Sequence, residues 1–221
     1  MIVTPNGFRK GLTVWFTGLS GSGKTTLSSS VHDVLLARGF RVELLDGDDL
    51  RNHLNRDLGF SRRDRDENVR RIGFVAELLA RNGILVLVSA IAPYRNAREE
   101  VRRRIGNFME VHVNAPLEVC EKRDPKGLYR RARAGEIQGF TGIHDPYEAP
   151  LDPEVRCNTH QESVQRSTDK MIAAITKYLG SSAPLDADQL IDNNETIGAN
   201  DELGANYGHP WAPIRKDWMN R

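Results

Sequence analysis

The sequence predicts an α/β protein: a doubly wound parallel sheet carrying a phosphate loop at its centre and a lid beside it. Three observations lead there. Short apolar runs alternate with segments of helical periodicity, the pattern of strand–helix–strand units that close into a parallel sheet with right-handed crossovers. The first run leads directly into Gly18-Leu19-Ser20-Gly21-Ser22-Gly23-Lys24-Thr25, and Thr26 continues into a helix. Later, Asp124 to Pro153 breaks into Gly, Pro, Arg and aromatic residues with no period. An irregular stretch of that length in a compact domain marks a functional lid.

Met1 to Gly11 reads as a loose leader. Leu12 to Thr17 is a short buried strand, and Thr26 to Arg38 a helix that Gly39 stops. Arg41 to Leu45 form a second strand, running into Asp46-Gly47-Asp48-Asp49. A polar, arginine-rich segment extends from Arg51 to Arg71. Within it Ser61 or Asp64 is placed to cap a long helix with Val69, Ile72, Val75, Ala76 and Leu79 on one face, ended by Asn82-Gly83. Ile84 to Val88 is almost wholly apolar, the mark of a strand buried on both faces. Arg95 to Arg104 is a charged helix expected at the surface, and Met109 to Val113 is the fourth strand. Pro116 opens a short helix through Cys120 and Arg123. A weak strand near Glu154 to Cys157 and a helix from Ser163 to Leu179 complete a domain spanning residues 1–180. Residues 181–221 form a polar tail ending near Trp211 and Trp218, expected to dock or to bind a partner because exposed tryptophan is costly.

A length of 221 residues suits one α/β core with an appendage. The net charge of +1 argues against a dedicated nucleic-acid binder. No apolar run is long enough to cross a bilayer and no signal-peptide pattern is present, so the expected address is the cytoplasm. Cys120 and Cys157 lie far apart without a metal-type spacing, and both are expected as reduced, partly buried thiols.

The chemistry begins at the loop. Its glycines let several backbone N–H groups point at one anion, and the following helix adds the positive end of its dipole. Lys24 neutralises the outer phosphates of a nucleoside triphosphate, and the Thr25 hydroxyl is placed to hold Mg²⁺. In a doubly wound sheet the segments after the second and third strands face the same point. Asp46 and Asp48 follow the second strand. One is expected to make the turn and cap the next helix while the other serves the reaction, as metal partner or as acceptor of the hydroxyl proton. Arginines and lysines crowd 51–71 and 122–133; most are solvated, and two or three suit bidentate clamping of an anionic acceptor. Phe60 and Phe140 stand in polar loops, where each is either a local anchor or one half of a sandwich around a flat base.

Several blocks together resemble the adenylylsulfate kinases: Gly18 to Thr26, Asp46-Gly47-Asp48-Asp49-Leu50-Arg51, Asp57 to Ser61, Asp64 to Arg71, Arg123 to Tyr129, Gly139 to Ile143 and Pro146 to Pro150. The likeness runs from about Gly11 to Gly180 in unchanged order. It implies a phosphate-loop kinase fold and transfer of the ATP γ-phosphoryl group, with Mg²⁺, to the 3′-hydroxyl of adenosine 5′-phosphosulfate in sulfate activation. It assigns Gly18 to Thr26 and Arg123 to ATP, and Thr25 and Asp46 to the metal. Phe60 and Phe140 would sandwich the acceptor adenine, with Asp48, Arg51, Arg65, Asn68, Ile91 and Lys126 around the rest of the acceptor. Asp46 and Asp48 fall where the family keeps its metal-associated and hydroxyl-facing carboxylates; the phosphate loop with Lys24 is shared by many enzymes, and the later blocks are more particular to this family. Family members are commonly dimers, so a homodimer is expected.

The chain departs from the family at Ile91-Ala92-Pro93, where many members read Ile-Ser-Pro. Alanine cannot carry a phosphoryl group, so transfer is expected directly between bound nucleotides. Competing readings are a small kinase of a sugar, shikimate-like acid or other nucleotide, a nucleotide-dependent switch or nucleic-acid module, and a degenerate member acting as a scaffold. No Asn-Lys-x-Asp guanine-reading motif is present to favour a switch.

Overall fold

The computed structural model describes residues 11–180; the tail expected from 181 onward lies outside the described residues. The elements run β1 (Thr13–Thr17), α1 (Lys24–Ala37), β2 (Val42–Asp46), α2 (Gly47–His53), α3 (Arg62–Arg81), β3 (Leu85–Ser89), α4 (Arg95–Ile105), β4 (Phe108–Asn114), α5 (Leu117–Arg123), α6 (Leu128–Arg133), β5 (Val155–Asn158) and α7 (Val164–Leu179). Five parallel strands form one sheet in the order β2-β3-β1-β4-β5. The strand order reverses beside β1, so the phosphate loop sits at the switch point where ligands collect in this class of sheet.

Alternation along the strands divides the core in two. Val14, Phe16, Leu85, Leu87, Met109, Val111 and Val113 face α1 and α7, which contribute Leu27, Val31, Leu35, Met171 and Ile175. Trp15, Val86, Val88 and Phe108 face α3 and α4, which contribute Val69, Ile72, Ala76, Ala97 and Val101. Helices on both faces are what near-continuous apolar strands require. The two helices of the second face pack closely because Gly73 presents no side chain: a Cβ there would lie 2.7 Å from Val101 Cγ1.

One of the two aspartates caps the next helix, as expected: Asp46 caps α2, its Oδ1 accepting from the Asp48 N–H at 2.9 Å. The structure corrects two expectations. The helix Arg95–Ile105 is not simply a surface helix. It buries Ala97, Arg98 and Val101, and Arg98 is internal because Glu110 of β4 meets its guanidinium at 2.6 Å. The lid stretch is not wholly irregular, since α6 lies inside it. Tyr129 and Ala132 of α6 are buried, and Tyr129 packs with Ala115 and Cys120 while Leu19, Leu117, Phe140 and Ile143 surround them. The cap of α3 falls on Ser61, which shares a reciprocal capping box with Asp64. Cys120 and Cys157 are free and buried.

Candidate active site

The loop between β1 and α1 is shaped by glycine. Gly21 and Gly23 take φ of +73° and +99°, and a Cβ on Gly18 would approach Val113 O to 2.4 Å. Donors from outside fix its carbonyls. Tyr129 Oη donates to Ser20 O at 2.9 Å, Arg123 Nη1 to Gly21 O at 3.1 Å, and Thr159 Oγ1 to Ser22 O at 2.6 Å. Across a trans peptide the C=O of one residue and the N–H of the next point in opposite directions. Holding Ser20 O and Ser22 O outward therefore turns the N–H groups of Gly21 and Gly23 toward the hollow. The buried Ser22 hydroxyl has no partner within the protein. This cradle fits a phosphate chain.

Lys24 is the first residue of α1, with only 9% of its surface exposed. Its Nζ donates to Gly18 O at 3.0 Å and Leu19 O at 2.8 Å. Burial pulls its pKa down to about 8, although Cys120, Asp48 and Asp46 oppose that shift. The ammonium is thus held in a place that disfavours its charge, which an incoming phosphate would restore.

Thr25 Oγ1 donates to Asp46 Oδ2 at 3.0 Å and lies 3.4 Å from Ser89 Oγ. Ser89 closes β3 directly beside Asp46 in the sheet register. Among the described residues no three His, Cys, Asp or Glu side chains form a metal cluster of their own. Two protein oxygens with phosphate and water is the ligand set Mg²⁺ favours beside a nucleotide, so Thr25 and Asp46 fit that ion. Asp48, two residues further, pairs with Lys126 from the segment between α5 and α6. The two aspartates are therefore separated in place: Asp46 lies against the loop and caps α2, and Asp48 faces the lid.

The aromatic side of the site follows. Phe60 precedes α3 and keeps 60% of its surface exposed. Arg51 covers one of its faces with the guanidinium carbon 4.6 Å from the ring centre, its Nη1 tied to Leu58 O and Gly59 O at 3.2 and 3.1 Å. Phe140 meets Tyr129 edge-on with centroids 5.0 Å apart. Arg65 joins the two phenylalanine loops, donating from Nε to Phe60 O at 2.9 Å, from Nη1 to Thr141 Oγ1 at 2.8 Å and from Nη2 to Gly139 O. Asn68 Oδ1 accepts from buried Asn55 at 2.9 Å. Ile91 O accepts from Thr17 Oγ1 at 2.6 Å, at the very end of β1. A cleft of about 510 Å³ opens between Leu19 and the lid residues Gly142 to Tyr147.

A family model described as adenylylsulphate kinase matches residues 10–158. An adenylyl-sulfate kinase of Picosynechococcus sp. is 61% identical over 175 residues, covering 79% of this chain and 98% of that protein. The chain belongs to the adenylylsulphate kinase family. A second adenylyl-sulfate kinase, from Synechococcus sp., is 63% identical over 170 residues, 77% of this chain and 97% of that protein. The Mycobacterium tuberculosis APS kinase CysC, solved in complex with AMPPNP and APS, superposes with a TM-score of 0.72 at 49% identity, over 75% of this chain and 98% of that one. A sugar kinase from Janibacter sp. shares the fold alone, at 17% identity and a TM-score of 0.53.

Within this adenylylsulphate kinase family member, sequence reasoning missed Tyr129 and Thr159, which support the loop from behind, and Thr141, Asp145 and Tyr147 in the lid. Thr159 follows the short strand β5, and a threonine after a strand carries no signal of its own. Tyr147 Oη lies 3.0 Å from Thr17 Oγ1. Since Thr17 spends its single proton on Ile91 O, Tyr147 is the donor in that pair.

Proposed function

We propose that this cleft transfers the γ-phosphoryl group of ATP to the 3′-hydroxyl of adenosine 5′-phosphosulfate, giving 3′-phosphoadenosine 5′-phosphosulfate. The observation that carries the reading is the meeting, at the carboxyl ends of the strands, of the phosphate cradle and the Thr25–Asp46 pair, beside two phenylalanine loops joined by Arg65. The loop residues Gly18 to Thr26 bind the phosphate chain through backbone N–H groups. Lys24 meets the transferring group with positive charge, which is most of what phosphoryl transfer asks of a protein. Thr25 and Asp46 hold Mg²⁺, which when bound neutralises charge on the outer phosphates. Asp48 faces the acceptor hydroxyl and takes its proton, and Lys126 orients that carboxylate. This division is supported by Asp46 being occupied with Thr25 and the α2 cap while Asp48 is free of both. Phe60 and Phe140 hold the acceptor base, with Arg51, Arg65, Asn68 and Ile91 around it. Arg123 serves the ATP side by holding Gly21 O and Thr159 in place.

The lid excludes water by closing back onto the sheet. Glu148 accepts from the first N–H of α4 at 2.9 Å, capping that helix from afar, and Arg98 donates to Glu148 O at 2.7 Å and to Ala92 O at 2.6 Å. Ala92 offers no hydroxyl to carry a phosphoryl group, so transfer is direct between nucleotides. A coupled assay of ADP release tests the whole reading. Turnover with adenosine 5′-phosphosulfate and its loss in Lys24→Ala support it, and turnover with a sugar or shikimate-like acid alone would remove it.

We also propose that residues 1–180 are the catalytic unit and 181–221 an appendage, and that the protein acts as a homodimer in the cytoplasm. No helix among the described residues is long and apolar enough to cross a membrane. A related APS kinase from Thiobacillus denitrificans is described as hexameric, so light scattering on the full chain decides between these assemblies.

A further inference from the structure

Arg65 sits at an unusual crossing. Only 9% of it is exposed, and three of its five N–H groups are spent inside the protein. Those three bonds are not scattered. One ends on the carbonyl of Phe60, and the other two end on Gly139 and Thr141, the residues on either side of Phe140. Asp145 adds charge, with Oδ2 3.8 Å from Nη2.

Each phenylalanine is fixed locally before Arg65 acts. The Phe60 side is held by the Ser61–Asp64 capping box and by Arg51 on Leu58 and Gly59. On the Phe140 side, its carbonyl accepts from the N–H groups of Ile143, His144 and Asp145 at 3.1, 2.9 and 3.2 Å, wrapping the chain into a tight turn. Gly142, at φ +95°, donates its N–H to Asp145 O at 2.7 Å and completes that turn. What remains free is the spacing between the two loops. Arg65 is the strut across it, and Thr141, 2% exposed, supplies the side-chain acceptor that the strut bears on.

We propose that Thr141 is a positioning residue: through Arg65, with Asp145 behind it, it sets the gap between Phe60 and Phe140 and thereby the fit of a flat base. This rests on the reading of those phenylalanines as the acceptor sandwich. None of the strut's hydrogen bonds ends on the phosphate loop, so its loss falls on the acceptor far more than on ATP.

The test is steady-state kinetics on the full chain with Thr141→Val and Thr141→Ser. Valine keeps the shape and removes the acceptor oxygen from a charged donor. The KM for adenosine 5′-phosphosulfate should rise about tenfold while the KM for ATP stays close to wild type, and the unsatisfied guanidinium should lower the melting temperature by a few degrees. Serine should restore the acceptor KM to within about twofold. Equal rises in both KM values, an unchanged acceptor KM, or no rescue by serine would overturn the proposal. Should Thr141→Val fail to fold, Asp145→Asn replaces it, with an expected rise of about threefold in the acceptor KM alone and the same refuting outcomes. Phe60→Ala and Phe140→Ala, run alongside, separate the two ideas. If they leave the acceptor KM unchanged, the sandwich itself is wrong. If they raise it while the Thr141 and Asp145 variants do not, only the strut is wrong.

Discussion

Lys24 carries a pH dependence whose size follows from its burial. Its pKa falls from 10.5 to about 8, with desolvation as the main cause. A bound phosphate chain supplies the counter-charge that burial removes, and returns the group to its ordinary range. The difference of about 2.5 pH units corresponds to about 3 kcal/mol between the protonated and neutral lysine in their hold on nucleotide. Below pH 8 the ammonium is already present and ATP affinity should be flat. Above it, each pH unit should cost nearly tenfold in ATP affinity until the lysine of the complex itself titrates. Calorimetry of an unreactive ATP analogue between pH 7 and 10, in buffers of different ionisation enthalpy, reads both the affinity and the protons taken up. Uptake approaching one proton per site near pH 9 is expected, and Lys24→Gln should abolish it. On folding the sign is reversed. The unfolded chain keeps its proton up to pH 10.5 while the folded lysine loses it from about 8, so this group makes the free protein more stable as pH rises through that window. Flat analogue affinity from pH 7 to 9.5, with no proton uptake, would refute the claim that burial holds Lys24 poised for phosphate.

Phe60→Ala should separate binding from folding. Because 60% of the residue is exposed, losing its buried remainder costs about 1 kcal/mol of stability, whereas losing a stacking face should cost about 1–3 kcal/mol in acceptor binding with ATP unaffected; melting curves and the two KM values check it. Arg98→Met should destabilise by about 3–5 kcal/mol by leaving Glu110 buried with only Arg102 at 3.5 Å, and urea denaturation should show part of that recovered when Glu110→Leu is added. His112 should give the protein an acid-sensitive limb. Burial, then Arg156 and Arg98, lower its pKa to about 4, so the unfolded chain takes up a proton from pH 6.5 downward while the folded ring does not, and stability falls across pH 6.5 to 4 by up to about 3 kcal/mol. Urea midpoints for wild type and His112→Leu over that range measure it.

The frame of the molecule was legible because its signals are local. The central strands announced themselves as apolar runs while β5 gave only a weak signal, the phosphate loop is eight consecutive residues, and Ser61 and Ser163 stand where a helix start needs them. What escaped were the partners of the interior arginines. Arg98, in a charged helix, reads as a surface side chain yet is interior because Glu110 lies 12 residues on. Arg65, placed beside the acceptor by the family resemblance, gave no sign of its bond to Thr141, 76 residues away. A charge looks exposed in sequence whenever the group that neutralises it is remote. The same limit hid α6: a helix of six residues holding three arginines shows no apolar stripe, and Tyr129 buries against elements brought there by the fold.

The lid is anchored at both its middle and its end, and under the proposed assignment each anchor serves a different nucleotide. In the middle, Arg65 ties Gly139 and Thr141 to the loop of Phe60, on the acceptor side. At the end, Tyr147 donates to Thr17, whose own hydroxyl holds Ile91 and whose neighbour Gly18 begins the phosphate loop. Tyr129, just before these, holds Ser20 of the same loop. Full opening of the segment has to release both sets of anchors, whereas loosening one anchor alone leaves the other in place. Closure at both is the mechanical requirement of direct transfer, since with Ala92 in place of a hydroxyl no covalent intermediate bridges two separate openings, and both nucleotides must be enclosed together for the phosphoryl group to pass between them and not to water.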